Sequence, residues 1–343
     1  MTPETQRQIV MAGRPSGALA LRHFKTVVSP IPPRPADAVL LRNIFVSIAP
    51  HARAVMQGPT YRPQLIADEL IPSSVIAEVI AGPADGPEPG SVVAATAGWQ
   101  EYSVVPATAV RPLQRIGRLS HHIGLLGLNG LTAYFGIREV AKVRAGETVV
   151  ISGAAGGVGH LAGQVARLAR ARVVGITSSD EKNRILENQL EYSATVNWKS
   201  SSFLDDLHTA CARGADVYFD NVGGPLLENM LPLIVNRGRI VCCGVTAQYD
   251  MDNPLPGPSD LAVQMIAKSL RMEGFMVANY KNSWNEALRE LKELHESGQL
   301  TVLEDLRDGL ASAPTALIEM LAGKNVGQLA VRLAPDPVGW PLE

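Results

Sequence analysis

TVVISGAAGGVGHLAGQVARLARARVVGIT, residues 148–177, is the stretch of the chain that decides the fold. Thr148–Ser152 is a short β-branched run that predicts a strand, and from Val158 onward the apolar residues recur at helical spacing. Arg172–Thr177 then resumes a buried strand. The order of strand, glycine turn, helix and strand is that of one βαβ unit.

The glycines of this stretch predict a turn that a ligand can approach closely. Where a Cβ would collide with a ligand, a glycine leaves only backbone, and the following helix directs free N–H groups and a positive dipole end at a bound anion. A glycine pattern alone is weak, but this one follows a predicted strand and opens a predicted helix. The sequence therefore predicts a dinucleotide site whose turn comprises Gly153, Ala155, Gly156, Gly157, Val158 and Gly159.

The end of the second strand favours NADPH over NADH. Folds that prefer NAD usually place Asp or Glu there, to bind the ribose 2′-hydroxyl. Here Ser178 and Ser179 follow the strand, and the acids at 180 and 181 come later, just before Lys182. Small hydroxyls and an ammonium suit a 2′-phosphate, so Ser178 and Lys182 are candidate cofactor residues. The alternative interpretation is a helix N-cap whose acids suit the helix dipole, followed by a solvated lysine.

Length and composition set the class of protein. The 343 residues predict two domains, and 46% hydrophobic with 19% charged residues is ordinary globular composition. A net charge of −2 argues against nucleic acid or an anionic membrane as the main partner. No apolar run is long enough to span a bilayer, and the first residues carry no hydrophobic signal core. With three cysteines, a disulfide scaffold is not expected and a cytoplasmic location is.

The cysteines and histidines do not form a metal-binding pattern. Cys242 and Cys243 are adjacent inside an apolar run, and Cys211 stands alone. His121 and His122 have no third ligand nearby in sequence. Because a tetrahedral zinc site needs three or four such ligands, we expect no metal site.

The rest of the chain divides into two textures. Short β-segments separated by proline and glycine fill the first part, at Ala38–Ile48, Ser74–Ala81, Ser91–Ala95 and Gln100–Val105. From Gly124 helices and strands alternate, with a helix at Leu125–Val140, strands at Ala194–Trp198, Asp216–Asp220, Arg239–Val245 and Arg271–Val277, and a charged helix at Trp284–Glu296. This alternation predicts a doubly wound parallel sheet. A strand, a helix and a strand follow at Leu303–Leu310, Pro314–Ala322 and Gln328–Leu333.

Several motifs, in matching order and spacing, resemble the zinc-independent medium-chain dehydrogenase/reductases. The nearest branch holds prostaglandin and leukotriene reductases, 2-alkenal double-bond reductases and the bacterial curcumin reductase. The resemblance covers nearly the whole chain. It is carried by GLLGLNGLTAY (124–134), SGAAGGVG (152–159), Ser179–Lys182, YFDNVGG (218–224), GRIVCCG (238–244), RMEGF (271–275) and GKNVG (323–327).

The resemblance implies the architecture. It assigns residues 1–123 and 299–343 to a GroES-like β-barrel domain that binds substrate, and residues 124–298 to a Rossmann NADPH-binding domain. Cofactor and substrate meet in the cleft between the domains, and members of the family typically form homodimers. The fold class is therefore α/β.

The resemblance also implies the reaction, a 1,4-reduction of a small apolar α,β-unsaturated carbonyl by hydride transfer from NADPH to the β-carbon. Charge then develops on the carbonyl oxygen, which needs a hydrogen-bond donor. Tyr249 follows the strand at Arg239–Val245 and matches the proton-donor tyrosine of the curcumin reductase. A phenol is protonated at neutral pH, so Tyr249 is the candidate catalytic residue. A surface-loop tyrosine is the alternative, and the cofactor ribose hydroxyl is an alternative donor.

Four further residues match positions that bind the cofactor in the family. Asn221 matches a contact on the ribose or nicotinamide side, with an Asx turn as the alternative. Asn325 matches an asparagine that lies against the nicotinamide, and Gly244 closes a matching motif. Thr132 falls where the family lines the nicotinamide pocket, with a hydroxyl bonded back along its own helix as the alternative.

Three positions depart from the family pattern. Trp198 stands where a tyrosine usually contacts the adenosine phosphate, Ala267 replaces a substrate-side tyrosine, and His51 stands where relatives often carry tyrosine. Arg53 and Trp99, on loops expected to face the cleft, are interpreted as packing residues. The resulting hypothesis is an NADPH-dependent enone or enal reductase, with a quinone oxidoreductase and a non-catalytic NADPH sensor as alternatives.

Overall fold

The first third of the chain is built mainly of strands. The structure is a computed structural model that describes residues 3–58, 63–251 and 256–341. Its first elements are β1 (Thr5–Met11), β2 (Phe24–Pro30), β3 (Ala38–Ser47), α1 (His51–Gln57), β4 (Ser74–Ala81), β5 (Val92–Thr96), β6 (Tyr102–Pro106) and β7 (Arg111–Pro112). β1 and β2 form an antiparallel pair, whereas β3 to β7 join a larger sheet.

The middle of the chain alternates between helix and strand, as its periodicity predicts. Its elements are α2 (Leu128–Phe135), β8 (Thr148–Ser152), α3 (Gly159–Leu168), β9 (Arg172–Thr177), α4 (Asp180–Leu190), β10 (Ala194–Asn197), α5 (Phe203–Ala210), β11 (Ala215–Asp220), α6 (Gly224–Met230), β12 (Ile234–Cys242), α7 (Leu261–Lys268), β13 (Arg271–Gly274) and α8 (Trp284–Glu296). The six strands pair in parallel in the order β10-β9-β8-β11-β12-β13. This is the strand order of a Rossmann fold.

The last part of the chain returns to the first sheet. β14 (Glu304–Asp308), α9 (Ala313–Leu321) and β15 (Gln328–Arg332) follow, and β15 pairs in parallel with β14 and antiparallel with β3. The seven-stranded sheet runs β14-β15-β3-β4-β5-β7, with β6 on β3. In the part of the chain that the structure describes, this pairing does not join β7 back to β14, so the barrel-like sheet is open.

Most predicted elements lie within two residues of their predicted bounds, but three differ by three residues or more. The strand predicted at Arg271–Val277 ends at Gly274. The strand predicted at Arg239–Val245 begins at Ile234 and ends at Cys242. The Cys243 N–H donates the last bond of the ladder to the Asp220 carbonyl (2.8 Å), and the Gly244 N–H donates to the same carbonyl (3.0 Å) instead of extending the ladder. The helix predicted at Leu125–Val140 begins at Leu128 and ends in a π-helical segment, Gly136–Ala141.

The helices cover the parallel sheet through the apolar faces that the sequence predicts. Leu161, Ala162 and Val165 of α3 are buried against the sheet, with exposures of 0–1%. Close contact between α3 and the sheet depends on Gly163, where a Cβ would lie 1.9 Å from the hydroxyl oxygen of the buried Tyr192. None of the helices in the described ranges is long and apolar enough to cross a membrane.

Candidate functional site

The strand order places a switch point at the carboxyl ends of β8 and β11. The chain runs outward from β8 to β10 and then returns to place β11 on the other side of β8. In open α/β sheets, ligands bind in the crevice outside the carboxyl ends of the strands at such a point. The glycine turn follows β8 and Asn221 follows β11, so the fold brings these two predicted segments to one edge.

Two glycines of the glycine turn leave no room for a side chain, and a third has a backbone conformation that favours glycine. Gly153 has a φ of +59°, in the left-handed region that favours glycine. A Cβ on Gly159 would lie 2.3 Å from the carbonyl oxygen of Gly153, and a Cβ on Gly157 would lie 2.5 Å from the Asn129 side-chain nitrogen. Because α3 begins directly after this turn, the geometry fits a pyrophosphate held by backbone N–H groups. Ala155 and Val158 complete the turn.

His160, in the first turn of α3, connects the glycine turn to the segment that enters β14. Its Nδ1 lies 2.8 Å from the Gly156 carbonyl oxygen, and its Nε2 accepts the Leu303 N–H (3.3 Å). One turn further on, the Gln164 side chain donates to and accepts from the Thr301 backbone (2.9 and 2.7 Å). The two bonds of His160 require a neutral imidazole that carries its proton on Nδ1. Complete burial favours the neutral ring and lowers the pKa of His160 to about 4.

Asp220, at the end of β11, organises the switch point. It is 3% exposed, and its Oδ1 accepts hydrogen bonds from the hydroxyls of Ser152 and Tyr218 (both 3.0 Å) and from the N–H groups of Val222 and Gly223 (3.0 and 2.8 Å). Burial and the neighbouring carboxylate raise the pKa of Tyr218 well above its ordinary value. In the sequence, Asp220 is recognisable only as the end of a strand, because no local pattern indicates the hydrogen bonds that its side chain accepts.

Asn221 reaches across to β8 rather than forming an Asx turn. Its side-chain amide donates to the Ser152 carbonyl (2.7 Å), and its backbone N–H donates to the Ser152 hydroxyl (2.9 Å). Gly244 passes close by, since a Cβ there would lie 2.7 Å from the Asn221 carbonyl oxygen. The structure therefore brings Asn221, Gly244 and the glycine turn together.

Ser178 and Lys182 both contact the segment between α9 and β15. Ser179 caps α4 by accepting the Lys182 N–H (3.3 Å), as the alternative interpretation expects. The solvated lysine of that interpretation is wrong, because Lys182 is only 9% exposed and its Nζ donates to the carbonyls of Gly323 (2.7 Å) and Asn325 (2.5 Å). The Ser178 hydroxyl donates to the same Gly323 carbonyl (3.0 Å).

The GKNVG loop, residues 323–327, lies against the glycine turn. The Gly327 N–H donates to the Ala155 carbonyl (2.7 Å), and Asn325 donates from its side chain to the Gly327 carbonyl (3.1 Å). Asn325 therefore lies between the anchor at Lys182 and the anchor at the turn. Thr132 is half-buried, and its hydroxyl donates to the Leu128 carbonyl (2.7 Å), which is the arrangement of the alternative interpretation.

Tyr249 closes a short helical turn after β12. That turn is bonded to the Asn221 loop, since the Ala247 N–H donates to the Val222 carbonyl (3.0 Å). Arg53 of α1 holds the next residue: it is fully buried, and its Nε donates to Asp250 Oδ1 (2.8 Å). Helix α1, which follows β3, therefore supports the loop that carries Tyr249.

Trp99 and Arg53 are both interpreted from the sequence as packing residues on loops that face the cleft, and Arg53 in addition forms an ion pair. Trp99 is fully buried and stacks on Phe24 with ring centres 5.8 Å apart, so it is a core residue. Arg53 pairs with Asp250 from the other sheet's connection, which sequence analysis did not identify. A lone arginine in the apolar run ARAVM was the available signal, because a buried guanidinium needs a partner.

The edge of the sheet beyond β10 holds a second basic group. Trp198 is 46% exposed, and the Lys199 Nζ lies 5.3 Å from the centre of its ring. Lys199 is near enough to Lys182 to lower its pKa, in addition to the larger effect of burial. Within the described ranges, no group of three or more His, Cys, Asp or Glu side chains is placed to hold a metal ion.

Comparisons with known proteins agree with this architecture. Residues 7–113 match the family described as the N-terminal domain of oxidoreductase, and residues 157–293 match the family described as zinc-binding dehydrogenase. The chain is 30% identical to the NADPH-dependent curcumin reductase of Escherichia coli, over 97% of this chain and 98% of that protein. It is 34% identical to the (+)-pulegone reductase of Mentha piperita, over 96% and 99% of the two chains.

A solved structure also matches closely. The crystal structure of CurA from Vibrio vulnificus in complex with NADPH superposes with a TM-score of 0.91 at 31% identity, covering 96% of this chain and 100% of that one. The chain is therefore an oxidoreductase of the medium-chain dehydrogenase/reductase family. Within it, the chain belongs to the zinc-independent branch that holds the curcumin, alkenal and prostaglandin reductases.

We expect the free energy of unfolding to fall as the pH drops from 6.5 towards 4. Burial lowers the pKa of His121, His122 and His160 to about 4 in the folded protein. Unfolded histidine titrates near about 6.5, so between these values the unfolded chain binds more protons. The stability that the neutral rings contribute is complete above pH 6.5, and each ring loses about 1.4 kcal/mol per pH unit below it. Denaturant unfolding at several pH values measures this slope.

A variant at His160 isolates the contribution of the imidazole in the first turn of α3. His160→Asn should reduce the slope, whereas the same change at the exposed His208 should leave it unaltered. Burial raises the pKa of Glu304, which acts in the opposite sense and is common to both variants. An identical slope in the two variants would contradict the assignment to His160.

Proposed function

We propose that this oxidoreductase reduces the carbon–carbon double bond of α,β-unsaturated ketones or aldehydes. It is an NADPH-dependent enzyme. The observation that carries the proposal is the convergence, at one edge of the parallel sheet, of the glycine turn, Asn221, the GKNVG loop and the loop of Tyr249. The curcumin reductase and pulegone reductase among the relatives support the same reaction class.

The residues divide into three groups along the proposed path of the cofactor. The glycine turn would hold the pyrophosphate, and Ser178 and Lys182 would hold the 2′-phosphate. Thr132, Asn221, Gly244 and Asn325 would line the ribose and nicotinamide end. When bound, NADPH supplies the hydride that reaches the β-carbon of the substrate.

Tyr249 is the proposed donor to the substrate oxygen. Negative charge develops on that oxygen as the β-carbon is reduced, and a hydrogen bond there stabilises the transition state more than the ground state. Arg53, by pairing with Asp250, would hold the Tyr249 loop over the site. Hydride transfer of this kind is favoured where water is excluded, so the substrate we propose is small or medium-sized and apolar.

The proposal extends to organisation and location. We propose that residues 1–123 and 299–343 form the substrate domain and residues 124–298 the NADPH domain. We also propose a homodimer in the cytoplasm. β13 is an edge strand of the parallel sheet, and Val263 and Ile266 of α7, the helix before it, are 65% and 80% exposed, which leaves an apolar surface for a second copy.

The activity is tested by following nicotinamide absorbance with matched series of 2-alkenals, enones and quinones. We expect oxidation of NADPH by the enals or enones, well ahead of NADH, because the basic group at Lys182 favours the 2′-phosphate. Activity on quinones alone would assign the protein to quinone reduction. Tight NADPH binding with no oxidation by any acceptor would indicate a sensor.

Tyr249→Phe should lower kcat by about tenfold to a hundredfold, which is what the loss of one hydrogen bond to a charged group amounts to. Activity should persist, because the cofactor ribose hydroxyl is a second donor. KM for NADPH should not change. Tyr102→Phe, on β6 of the other sheet, is the matched control and should behave as wild type. An unchanged kcat in Tyr249→Phe would remove Tyr249 from the mechanism.

The mass in solution tests the dimer. Light scattering after size exclusion should give twice the chain mass for the wild type and a single chain mass for Ile266→Asp, because a buried carboxylate without a partner is costly. Val338→Asp, at a position that is 96% exposed elsewhere on the chain, should leave the dimer intact. A monomeric wild type would contradict the proposal.

A further inference from the structure

Lys182 is an almost fully buried lysine whose ammonium, counting partners in residues 3–58, 63–251 and 256–341, has one N–H donor to spare. Its Nζ donates to the carbonyls of Gly323 (2.7 Å) and Asn325 (2.5 Å), and it retains 9% exposure. A lysine ammonium has three N–H donors, so two hold the GKNVG loop and one is left. The Ser178 hydroxyl adds a bond to the Gly323 carbonyl (3.0 Å), so both candidate 2′-phosphate residues contact the same loop.

The other end of the GKNVG loop has little freedom to move. Gly327 has a φ of +71°, a Cβ there would lie 1.9 Å from the Leu303 carbonyl oxygen, and its N–H donates to the Ala155 carbonyl (2.7 Å). The loop is therefore fixed at the glycine turn and held at its start by Lys182. Lys182 bonds the carbonyl of Asn325 as well as that of Gly323, so the placement of Asn325 depends directly on the contacts that Lys182 makes.

The charge at Lys182 is not matched by a bonded carboxylate. Both acceptors of its Nζ are neutral carbonyls, and Asp180, on the same helix, accepts a hydrogen bond from the Asn197 side chain instead (2.9 Å). Burial, and to a smaller extent the neighbouring Lys199, lower the pKa of Lys182, and the nearby carboxylates of Glu181 and Asp305 offset this only in part. An anion bound by the third N–H donor would reduce the energetic cost of burying the ammonium charge. An ammonium hydrogen-bonded to an ionised acceptor is more stable than one surrounded by neutral groups alone.

We infer that Lys182 is a positioning residue that joins the 2′-phosphate of NADPH to the GKNVG loop, so that binding the phosphate fixes Asn325 in place. The inference rests on the proposed function, and in particular on the preference for NADPH. In this inference the 2′-phosphate raises the affinity for the cofactor and also orders the GKNVG loop. A cofactor that lacks the phosphate leaves the loop less ordered, and the reaction is then slower even at saturation.

The test uses adenosine 2′,5′-bisphosphate and adenosine 5′-monophosphate, which differ only in the 2′-phosphate and carry no nicotinamide. Hydrogen exchange is measured on a peptide that covers residues 320–328 of the full-length protein, with each ligand at saturation. The bisphosphate should slow exchange in the GKNVG loop by about tenfold, the factor that one charge-assisted hydrogen bond supplies, and the monophosphate should not. In Lys182→Met, which keeps the apolar stem, the bisphosphate at saturation should give no protection.

Lys199→Met is the matched control. Lys199 is exposed beside Trp198 and near Lys182 but makes no bond to the loop in the structure, so this variant should weaken binding of the bisphosphate yet keep loop protection at saturation. Kinetics give a second readout. The ratio of kcat with NADPH to kcat with NADH should exceed one in the wild type and in Lys199→Met, and should fall to about one in Lys182→Met.

The outcomes separate the inference from the function on which it rests. If the bisphosphate binds the wild type no more tightly than the monophosphate, the NADPH preference fails and the inference fails with it. If it binds more tightly but leaves exchange in the loop unchanged, or if protection survives in Lys182→Met, only the inference is overturned.

Discussion

A buried carboxylate, Asp220, holds together the edge of the sheet on which the site is built. Placing a charge at 3% exposure costs several kcal/mol unless hydrogen bonds replace its lost hydration, and here four donors do so. One comes from the end of β8, one from β11 itself, and two from the backbone that follows β11. The Asp220 carbonyl also accepts the two N–H groups that end β12. The ends of three neighbouring strands are thus fixed relative to one another, and the glycine turn and Asn221 inherit that geometry.

The second part of the site is attached to this edge by polar contacts from α3 and α4. Gln164 and His160 hold the backbone at Thr301 and Leu303, and Lys182 holds the GKNVG loop, so the segments on either side of β14 and α9 are bonded to the cofactor side of the molecule. These contacts are directional, and each one has a backbone group as partner. Apolar packing of Leu300, Val302 and Leu303 against the core of the parallel-sheet part accompanies these bonds. A ligand that engages one of the donors directly can alter how the bonded segment sits.

Much of the fold was predictable because the hydrophobic periodicity of its helices and strands, and the glycine pattern of the turn after β8, are visible locally in the sequence. The bounds of β4, β8, β9 and α8 match their predicted ranges, and the alternation of helix and strand predicted the doubly wound parallel sheet, whereas its Rossmann assignment came from the family resemblance. The ends of β12 and α2 were not predictable, since they are decided by tertiary contacts. The same division holds in the site: the glycine turn was identified because close approach of backbone leaves a sequence signature, whereas the partners of Asp220, Arg53 and Lys182 are distant in sequence.

Lys182 shows why identifying a residue falls short of identifying its role. Its position after a hydroxyl-rich strand end made it a candidate for phosphate binding, and nothing local indicated that its ammonium is already bonded to a loop more than a hundred residues away. Trp198 stands where the family resemblance expects a tyrosine at the adenosine end, and its indole is half exposed. In the proposed placement of the cofactor, the polar contacts to its 2′-phosphate are therefore concentrated on Ser178, Lys182 and Lys199. Two of these three also bind the GKNVG loop. In the inference drawn above, recognition of the cofactor and placement of the loop therefore depend on the same side chains and change together.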